Sequence, residues 1–292
     1  MLQTTHPNLA KSRYRPQLTE SARPSTFEVA TLDEHGAAGS AFVAGEHPLT
    51  VYVDKREILT LMTLGAAPEA LVLGYLRNQR LVDSIEDIVA VQVDWEVNAA
   101  SVYTKNGLVD LDEKMAHRTK TTGCGSGTVF GDLMANIDDV QLPLDGRLKQ
   151  STLYALSEQI RKYETIYKQA GAVHGCALAS NGEAGSELLY FVEDVGRHNA
   201  VDAIAGMMWL DGVDGGDKIF YTTGRLTSEM VIKAAQMGVP FLVSRSGLTQ
   251  MGYEIAKQVG MTMIGRAVNK HFLLFNDPGR FVFDAAVAKA SL

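Results

Sequence analysis

The chain contains two cysteines, Cys124 and Cys176, whose surroundings predict different chemistry. Cys124 lies in the segment K-T-T-G-C-G-S-G-T-V-F-G at residues 120–131, whose four glycines indicate a loop that can turn several backbone N–H groups toward one point. Such a nest stabilises a thiolate, the form of cysteine that acts as a nucleophile. Cys176 lies in an apolar run typical of a buried strand and is predicted to be a core residue. Cys124 is therefore the candidate catalytic residue.

The same count of cysteines limits metal chemistry. Two thiols cannot form a four-thiolate zinc site within one chain. Zinc deaminases need His-x-Glu followed by Pro-Cys-x-x-Cys, whereas here His174 is followed two residues later by Cys176, and the second element is missing. We therefore predict no metal site and interpret His174 as a hydrogen-bonded structural residue at a strand edge.

A dense polar segment, E-D-V-G-R-H-N-A-V-D, begins at Glu193 directly after an apolar strand. Glu193 and Asp194, close in sequence to Arg197 and His198, could form a buried charge network or a ligand clamp. The side chain of Asn199 is predicted to cap the helix that follows. The residue types alone leave the structural and the functional interpretation open.

The C-terminal part alternates strands and helices, which is typical of a parallel α/β sheet. The predicted elements are strands at 218–222, 239–244 and 261–265, and helices at 228–237 and 249–259. In such sheets ligands bind where strands end and the chain enters the next helix.

The three connections that follow these strands each contain an arginine. The connections are residues 223–227, 245–248 and 266–270. Arg225, Arg245 and Arg266, together with helix N-termini at Ser228 and Thr249, predict a binding site for phosphate-like anions.

The remaining pattern predicts a second, β-rich unit before this α/β unit. Its predicted strands lie within 26–53, 88–97 and 100–103, and a predicted helix begins near Pro68. In the α/β unit, further strands are predicted at 174–180 and 187–192. Further helices are predicted there at 151–170, with Ser151 as the cap, and at 199–209. A boundary at residues 142–146 divides the chain into an N-terminal β-rich α+β domain at 26–142, which includes the Cys124 loop, and an α/β domain at 143–292.

Composition excludes several classes of protein. Hydrophobic residues make up 46% and charged residues 21% of 292 residues, which is typical of a globular chain. The formal charge of −7 argues against nonspecific binding of nucleic acid, although residues 217–292 hold nine basic and five acidic side chains. No signal-peptide core and no apolar run of about 20 residues is evident. We expect a cytoplasmic protein with reduced thiols and no membrane partner.

Several segments together resemble the FdhD family, the formate dehydrogenase accessory sulfurtransferases. The most distinctive is the ten-residue segment at 193–202. The resemblance covers roughly residues 40–280. Further matching segments are Glu46 with Pro48-Leu49-Thr50, the cysteine loop, Gly224-Arg225, Ser228-Glu229-Met230-Val231, Lys233-Ala234-Ala235, Gly238-Val239-Pro240, Val243-Ser244-Arg245-Ser246 and Gly265-Arg266.

This resemblance implies a protein that accepts sulfur from a cysteine desulfurase and delivers it to the molybdenum or tungsten bis-molybdopterin guanine dinucleotide cofactor of formate dehydrogenase. It implies a homodimer, with a small N-terminal module and a cytidine-deaminase-like α/β domain that lacks the zinc. It also makes Cys124 the persulfide carrier. The residues expected to bind the cofactor are Arg266, Ala267, Val268, Asn269, Lys270, His271, Arg225, Arg245, Ser246, Arg197 and His198.

The sequence departs from the family pattern at two positions. Many members have a second cysteine where this chain has Gly127, so a two-thiol relay within the loop is impossible. An arginine expected near position 268 is Val268. A second hypothesis is therefore a chaperone that binds the molybdenum cofactor without transferring sulfur. A hydrolytic enzyme on a deaminase-like fold is a third and weaker alternative, because no metal triad is evident.

Overall fold

The computed structural model describes residues 14–107, 137, 140–163, 165–182 and 185–285. The Cys124 loop, residues 120–131, lies outside the described residues.

Among the described residues, the first part of the chain forms a five-stranded sheet, a separate two-stranded ribbon, one α-helix and a short 3₁₀ helix at Ile85–Asp87. Its elements are β1 (Gln17–Leu18), β2 (Thr26–Leu32), β3 (Ala38–Ala44), β4 (His47–Val53), β5 (Arg56–Thr63), α1 (Pro68–Asn78), β6 (Ile88–Asp94) and β7 (Ala99–Thr104). The sheet order is β1-β6-β7-β4-β5, and β2 pairs with β3 as the ribbon. On β4, Leu49, Val51 and Val53 are buried, as strand periodicity requires. The strands predicted within 26–53 and the helix predicted at Pro68 are confirmed.

The second part forms a six-stranded sheet with five helices. Its elements are β8 (Leu148–Lys149), α2 (Gln150–Tyr163), α3 (Ile166–Ala170), β9 (His174–Ser180), β10 (Leu188–Asp194), α4 (Arg197–Asp211), β11 (Lys218–Thr222), α5 (Ser228–Gln236), β12 (Phe241–Ser244), α6 (Gln250–Gln258), β13 (Thr262–Val268), β14 (His271–Asn276) and β15 (Phe281–Val282). The sheet order is β10-β9-β11-β12-β13-β14. Short β8 and β15 pair with each other outside it.

The parallel sheet predicted for the strands at 218–222, 239–244 and 261–265 is confirmed, and further strands extend it on both sides. β11, β12 and β13 are parallel, whereas β10, β9 and β14 run antiparallel to their neighbours. The reason lies in the connections, since parallel neighbours need a long crossover. β13 and β14 are joined by a two-residue turn, and the connection from β9 to β10 is likewise too short for a crossover helix.

Two helix predictions need correction. The helix predicted at 151–170 is two helices, and Ser151 is not its cap: the Ser151 backbone N–H and hydroxyl donate to Asp284 at 2.9 and 2.6 Å. The helix predicted at 199–209 begins at Arg197, so Asn199 lies inside its first turn. In both cases the chosen residue has a suitable type, but tertiary partners determine where the helix begins.

The six-stranded sheet is covered on both faces. Ala177 and Ala179 of β9 belong to a core with Leu153, Leu156 and Ile160 of α2. Cys176 and Leu178, which alternate with them, belong to a larger core that includes the apolar residues of α4, α5 and α6. The larger core continues into β4–β7 and α1 of the first sheet, and the division of the chain at residues 142–143 stays a prediction.

Candidate functional site

The structure brings the first two predicted arginine loops side by side at the carboxyl edge of β11 and β12. The backbone N–H of Leu226 donates to Gly247 O at 3.0 Å, and that of Arg245 donates to Thr222 O at 3.0 Å. Arg225 is exposed, and the Arg245 guanidinium lies 5.3 Å from the centroid of the Tyr167 ring. Two positive side chains therefore lie on adjacent loops of one edge.

The third segment differs from its prediction. Residues 266–270 do not lead into a helix, because β13 continues to Val268 and turns directly into β14. Arg266 still joins the edge, since its backbone N–H donates to Ser246 O at 2.8 Å. Ala267 is 5% exposed and packs in the core, so its side chain is not available to a ligand.

The tip of this hairpin contacts α2. Arg161 donates a hydrogen bond to Asn269 Oδ1 at 2.9 Å. Asn269 and Lys270 line a cleft of about 600 Å³ together with Tyr154, Ser157 and Glu158 among other α2 residues. Two further residues of the predicted set, Val268 and His271, are exposed beside it. The structure thus places Asn269 and Lys270 in a separate cleft whose wall on α2 the sequence did not predict.

Half of the polar segment at 193–202 has a structural role. Glu193 accepts hydrogen bonds from the backbone N–H groups of Ile166 and Tyr167, both at 3.0 Å, and so caps α3. Asp194 accepts from the Thr63 hydroxyl at 2.6 Å and from the Asn199 amide at 2.8 Å. Burial raises the pKa of Asp194, and these hydrogen bonds oppose that rise. Asp194 therefore connects β10 to the end of β5, where it also accepts a hydrogen bond from the backbone N–H of Leu64 at 3.0 Å.

A buried ion pair lies behind the site. Lys233 of α5 donates to Asp202 of α4 at 2.7 Å, and each residue is 1% exposed. Asp202 also accepts from Asn78 of α1 at 2.7 Å, and the Lys233 ammonium lies 3.6 Å from Glu229 Oε1. Burial lowers the pKa of Lys233, but Asp202 and Glu229 raise it more, so the ammonium remains charged.

The other half of the segment, Arg197 and His198, faces the arginine loops. A Cβ on Gly224 would lie 3.1 Å from Arg197 Cδ, so Arg197 packs against the loop that carries Arg225. His198 Nδ1 lies 3.4 Å from Glu229 Oε2. Burial lowers the pKa of His198 far below 6.5, and the charges of Lys233 and Arg197 lower it further.

We refer to these residues as the His198 cluster. It consists of His174, Arg197, His198, Arg225, Thr227 and Glu229. His174 begins β9 and is half-buried, and burial together with Arg197 and Arg225 lowers its pKa. Both histidines of the cluster are therefore neutral at neutral pH.

Two helix N-termini meet at the His198 cluster. α4 begins after Gly196 and α5 after Thr227, and neither residue makes a side-chain capping bond. At the neighbouring α6, by contrast, Thr249, where a helix N-terminus was predicted, accepts from Gly252 N as a normal side-chain cap. α5 begins at Ser228, as predicted. Uncapped N-termini carry partial positive charge and unpaired N–H groups, which suit an anion.

Cys176 is a core residue, as predicted. It is fully buried, its Sγ lies 3.3 Å from Thr222 Oγ1, and burial raises its thiol pKa to about 12. Such a thiol is uncharged and inaccessible. In the part of the chain that the structure describes, no group of three or more His, Cys, Asp or Glu side chains could hold a metal ion. No helix among the described residues is long and apolar enough to cross a membrane.

Sequence reasoning missed three contributors, Thr227, Glu229 and Arg161. Glu229 and Lys233 are spaced i,i+4 on α5, a spacing that places two side chains on one helix face and could have indicated the pair. Arg161 gave no such signal, because its partner Asn269 is 108 residues away in the chain.

A mixed α/β fold that gathers arginines and two uncapped helix N-termini at one sheet edge has the architecture of an anion-binding protein. A sequence model of the FdhD/NarQ family matches residues 44–282. The chain belongs to the FdhD/NarQ family, as the resemblance in its sequence predicted.

Individual relatives agree with this assignment. The sulfur carrier protein FdhD of Listeria monocytogenes serotype 4b (strain F2365) is 30% identical over 242 residues, which cover 82% of this chain and 89% of the relative. That of Sulfurisphaera tokodaii is 28% identical, with coverage of 86% and 95%. A crystal structure from Desulfotalea psychrophila, described as a formate dehydrogenase accessory protein, matches with a TM-score of 0.69 at 27% identity, over 88% of this chain and 98% of that one.

Proposed function

We propose that this protein is a sulfur carrier that serves formate dehydrogenase, with Cys124 as the residue that carries the transferred sulfur atom. Membership of the FdhD/NarQ family and the names of its relatives support the role of sulfur carrier. The observation that carries the residue assignment is the burial of Cys176. Because the chain has two cysteines and Cys176 is fully buried, Cys124 is the one left to bear a persulfide.

The proposed first step is a sulfurtransferase reaction with a cysteine desulfurase. The Cys124 thiolate attacks the terminal sulfur of the donor's persulfide, a new S–S bond forms, and the donor cysteine leaves as a thiolate with the electron pair of the broken bond. In the second step the terminal sulfur passes to the reduced metal of the substrate cofactor, which supplies two electrons, and Cys124 returns to its thiolate form. A positive field favours every anionic sulfur species in this sequence.

The proposed sulfur acceptor is the molybdenum or tungsten bis-molybdopterin guanine dinucleotide cofactor, bound as a substrate. Arg225, Arg245 and Arg266 would hold its pyrophosphates, with Lys270 at the hairpin tip. The donor set fits such a group, because arginines on adjacent loops and uncapped helix N-termini bind phosphate oxygens well. Arg197 and His198 would lie nearer to the reacting sulfur.

Several finer features accompany this proposal. They are a cytidine-deaminase-like relationship of the α/β unit, a domain division at residues 142–143, a homodimer, a cytoplasmic location and association with formate dehydrogenase. The family resemblance supports the first, the homodimer and the association with formate dehydrogenase, and the residue pattern supports the domain division and the location. The mixed sheet flanked by helices on both faces is compatible with the first feature.

Mass spectrometry tests the sulfur step directly. After incubation with a cysteine desulfurase and cysteine, the Cys124 peptide should gain the mass of one sulfur atom, and Cys124→Ser should abolish this gain. Cys176→Ala, the matched control, should load sulfur normally. If Cys124→Ser still activates formate dehydrogenase in cells, the assignment of the carrier is wrong.

A second candidate function is a chaperone that binds the molybdenum cofactor without transferring sulfur. The glycine at position 127, where many relatives have a second cysteine, favours it. The result that selects it is nucleotide binding without sulfur loading of Cys124.

Binding of guanosine diphosphate tests the arginine edge. Arg225→Ala and Arg245→Ala should each weaken binding by about tenfold, because each removes a charge-assisted contact. Arg56→Ala, an exposed arginine on β5 far from this edge, is the control and should bind as the unmodified protein does. Equal affinities for all four proteins would exclude this edge as the nucleotide site.

A further inference from the structure

The two ring nitrogens of His198 have different surroundings. Nδ1 lies 3.4 Å from Glu229 Oε2. Nε2 is buried and has no hydrogen-bond partner within the described residues. His198 as a whole is 8% exposed, so water has little access to this atom. A buried polar atom without a partner is costly, so it indicates a position that a ligand completes.

The contact with Glu229 determines where the ring proton lies. A carboxylate only accepts hydrogen bonds, so its approach to Nδ1 favours the neutral tautomer whose proton lies on Nδ1. Nε2 then carries a lone pair and is an acceptor. The other oxygen of Glu229, Oε1, lies 3.6 Å from the Lys233 ammonium.

The charges that face His198 favour its neutral form. Lys233 of α5 and Arg197 of α4 are positive, and Asp202 of α4 and Glu229 of α5 are negative, so these four balance without a proton on the ring. His174 of β9 is neutral and Arg225 of the β11–α5 loop is positive, so a further charge on His198 would be unfavourable.

Two other polar atoms of the cluster also lack partners. Arg197 Nε and the Thr227 hydroxyl are buried, and neither has a hydrogen-bond partner in the described part of the chain. Arg197 Nε can only donate, and the α4 and α5 N-termini add backbone N–H groups. A ligand that satisfies these donors and also His198 Nε2 must both accept hydrogen bonds and donate one, and the positive charges of Arg197 and Arg225 favour an anion.

We propose that the His198 cluster binds an anion that still carries one proton, with His198 Nε2 accepting that proton's hydrogen bond and Glu229 acting as a positioning residue. Phosphate as HPO₄²⁻ has both this negative charge and this donor hydrogen. The inference goes beyond the proposed function, because it assigns the cluster a protonated oxyanion and does not depend on sulfur transfer through Cys124.

Nitrogen NMR tests the tautomer in the full chain labelled with ¹⁵N-histidine. His198 signals are assigned by their loss in His198→Asn. We expect a neutral ring with its proton on Nδ1. Glu229→Gln should move that proton to Nε2, because the Gln carbonyl must face the Lys233 ammonium and its NH₂ group then donates to Nδ1. A proton on Nε2 of the unmodified protein would overturn the proposal.

Two oxyanions test the selectivity. At mildly alkaline pH inorganic phosphate is mainly HPO₄²⁻, whereas sulfate has the same shape and charge but no hydrogen. By NMR titration, His198 should respond to phosphate with an affinity at least about tenfold higher than to sulfate, because a lone pair facing an unprotonated anion is unpaired. Glu229→Gln should reverse the preference, and His198→Asn should abolish it.

The exposed pair His35 and Glu34, whose charged atoms lie 3.8 Å apart on the β2–β3 turn, gives the matched control. His35→Asn should leave the preference for phosphate unchanged. Equal or stronger binding of sulfate, or no response of His198 to either anion, would overturn the inference. If the phosphate preference holds while Cys124 never gains sulfur, the proposed function fails and this site stands.

Discussion

Gly74 of α1 lies directly against the backbone of Asp202 on α4: a Cβ on Gly74 would be 1.7 Å from the Asp202 carbonyl oxygen. Gly206 makes the reciprocal approach, since its Cβ would lie 1.9 Å from Ala70 O. The two helices cross with backbone against backbone. This crossing also places the Asp202 side chain between Asn78 and Lys233, so the helix contact supports the wall of the His198 cluster.

Gly74→Ala should therefore destabilise the fold. The overlap involves backbone atoms, which cannot rotate away, and we expect a loss of at least about 2 kcal/mol in the free energy of unfolding. Urea denaturation measures it. Gly39→Ala on the exposed β3 strand, where the nearest atom would be 3.6 Å away, is the control and should change stability little. Similar stability of the two variants would contradict the close crossing.

Cys176 should be unreactive in the folded protein. Its thiol is fully buried and has a pKa raised to about 12, so iodoacetamide should not alkylate it. In the Cys124→Ser variant, mass spectrometry should find no modification under native conditions and one after unfolding in urea. Native alkylation of Cys176 would remove the argument that leaves Cys124 as the carrier.

His198 should make stability depend on pH. Its pKa is lowered in the folded state from a value near 6.5 in the unfolded state. As the pH falls below 6.5 the unfolded chain gains a proton that the folded chain does not, so stability falls. Between about pH 7 and about pH 5 this group should cost about 2 kcal/mol. Denaturation of His198→Asn should lack that loss, whereas His35→Asn should keep it.

The buried pair Lys233 and Asp202 should show strong coupling. Lys233→Met leaves the Asp202 carboxylate buried without its countercharge, which should cost about 3–5 kcal/mol. Adding Asp202→Asn removes that charge, so the double variant should be more stable than Lys233→Met alone. Chemical denaturation of the two single variants and the double variant measures the coupling. Additive losses would show that the pair is not an interacting unit.

Local chemistry was readable from the sequence in several places. The periodicity of Leu49, Val51 and Val53 predicted a strand, Pro68 predicted a helix start, and the pattern after Thr249 predicted a further helix. The apolar run around Cys176 predicted a core thiol. Each of these features depends on neighbours within a few residues, and local patterns report such neighbours directly.

Other assignments failed because their partners are distant in sequence. Ser151 was a reasonable cap by residue type, but Asp284 binds its backbone N–H and hydroxyl and makes it part of the first turn. The segment at residues 266–270 looked like a loop before a helix, yet β13 and β14 form a hairpin there. The structural and the functional interpretation of the 193–202 segment could be distinguished only from tertiary contacts. Asp194 binds Thr63 of β5, whereas His198 contacts Glu229 of α5.

The sequence by itself determined the family, the alternation of strands and helices, and the two distinct kinds of cysteine, because motifs and periodicity are carried by neighbouring residues. Only the tertiary structure decided which strands run antiparallel, how α1 and α4 cross, and that Nε2 of His198 is buried without a hydrogen-bond partner among the described residues. Those outcomes depend on hydrogen bonds and packing between residues far apart in the chain, such as His198 with Glu229 and Gly74 with Asp202.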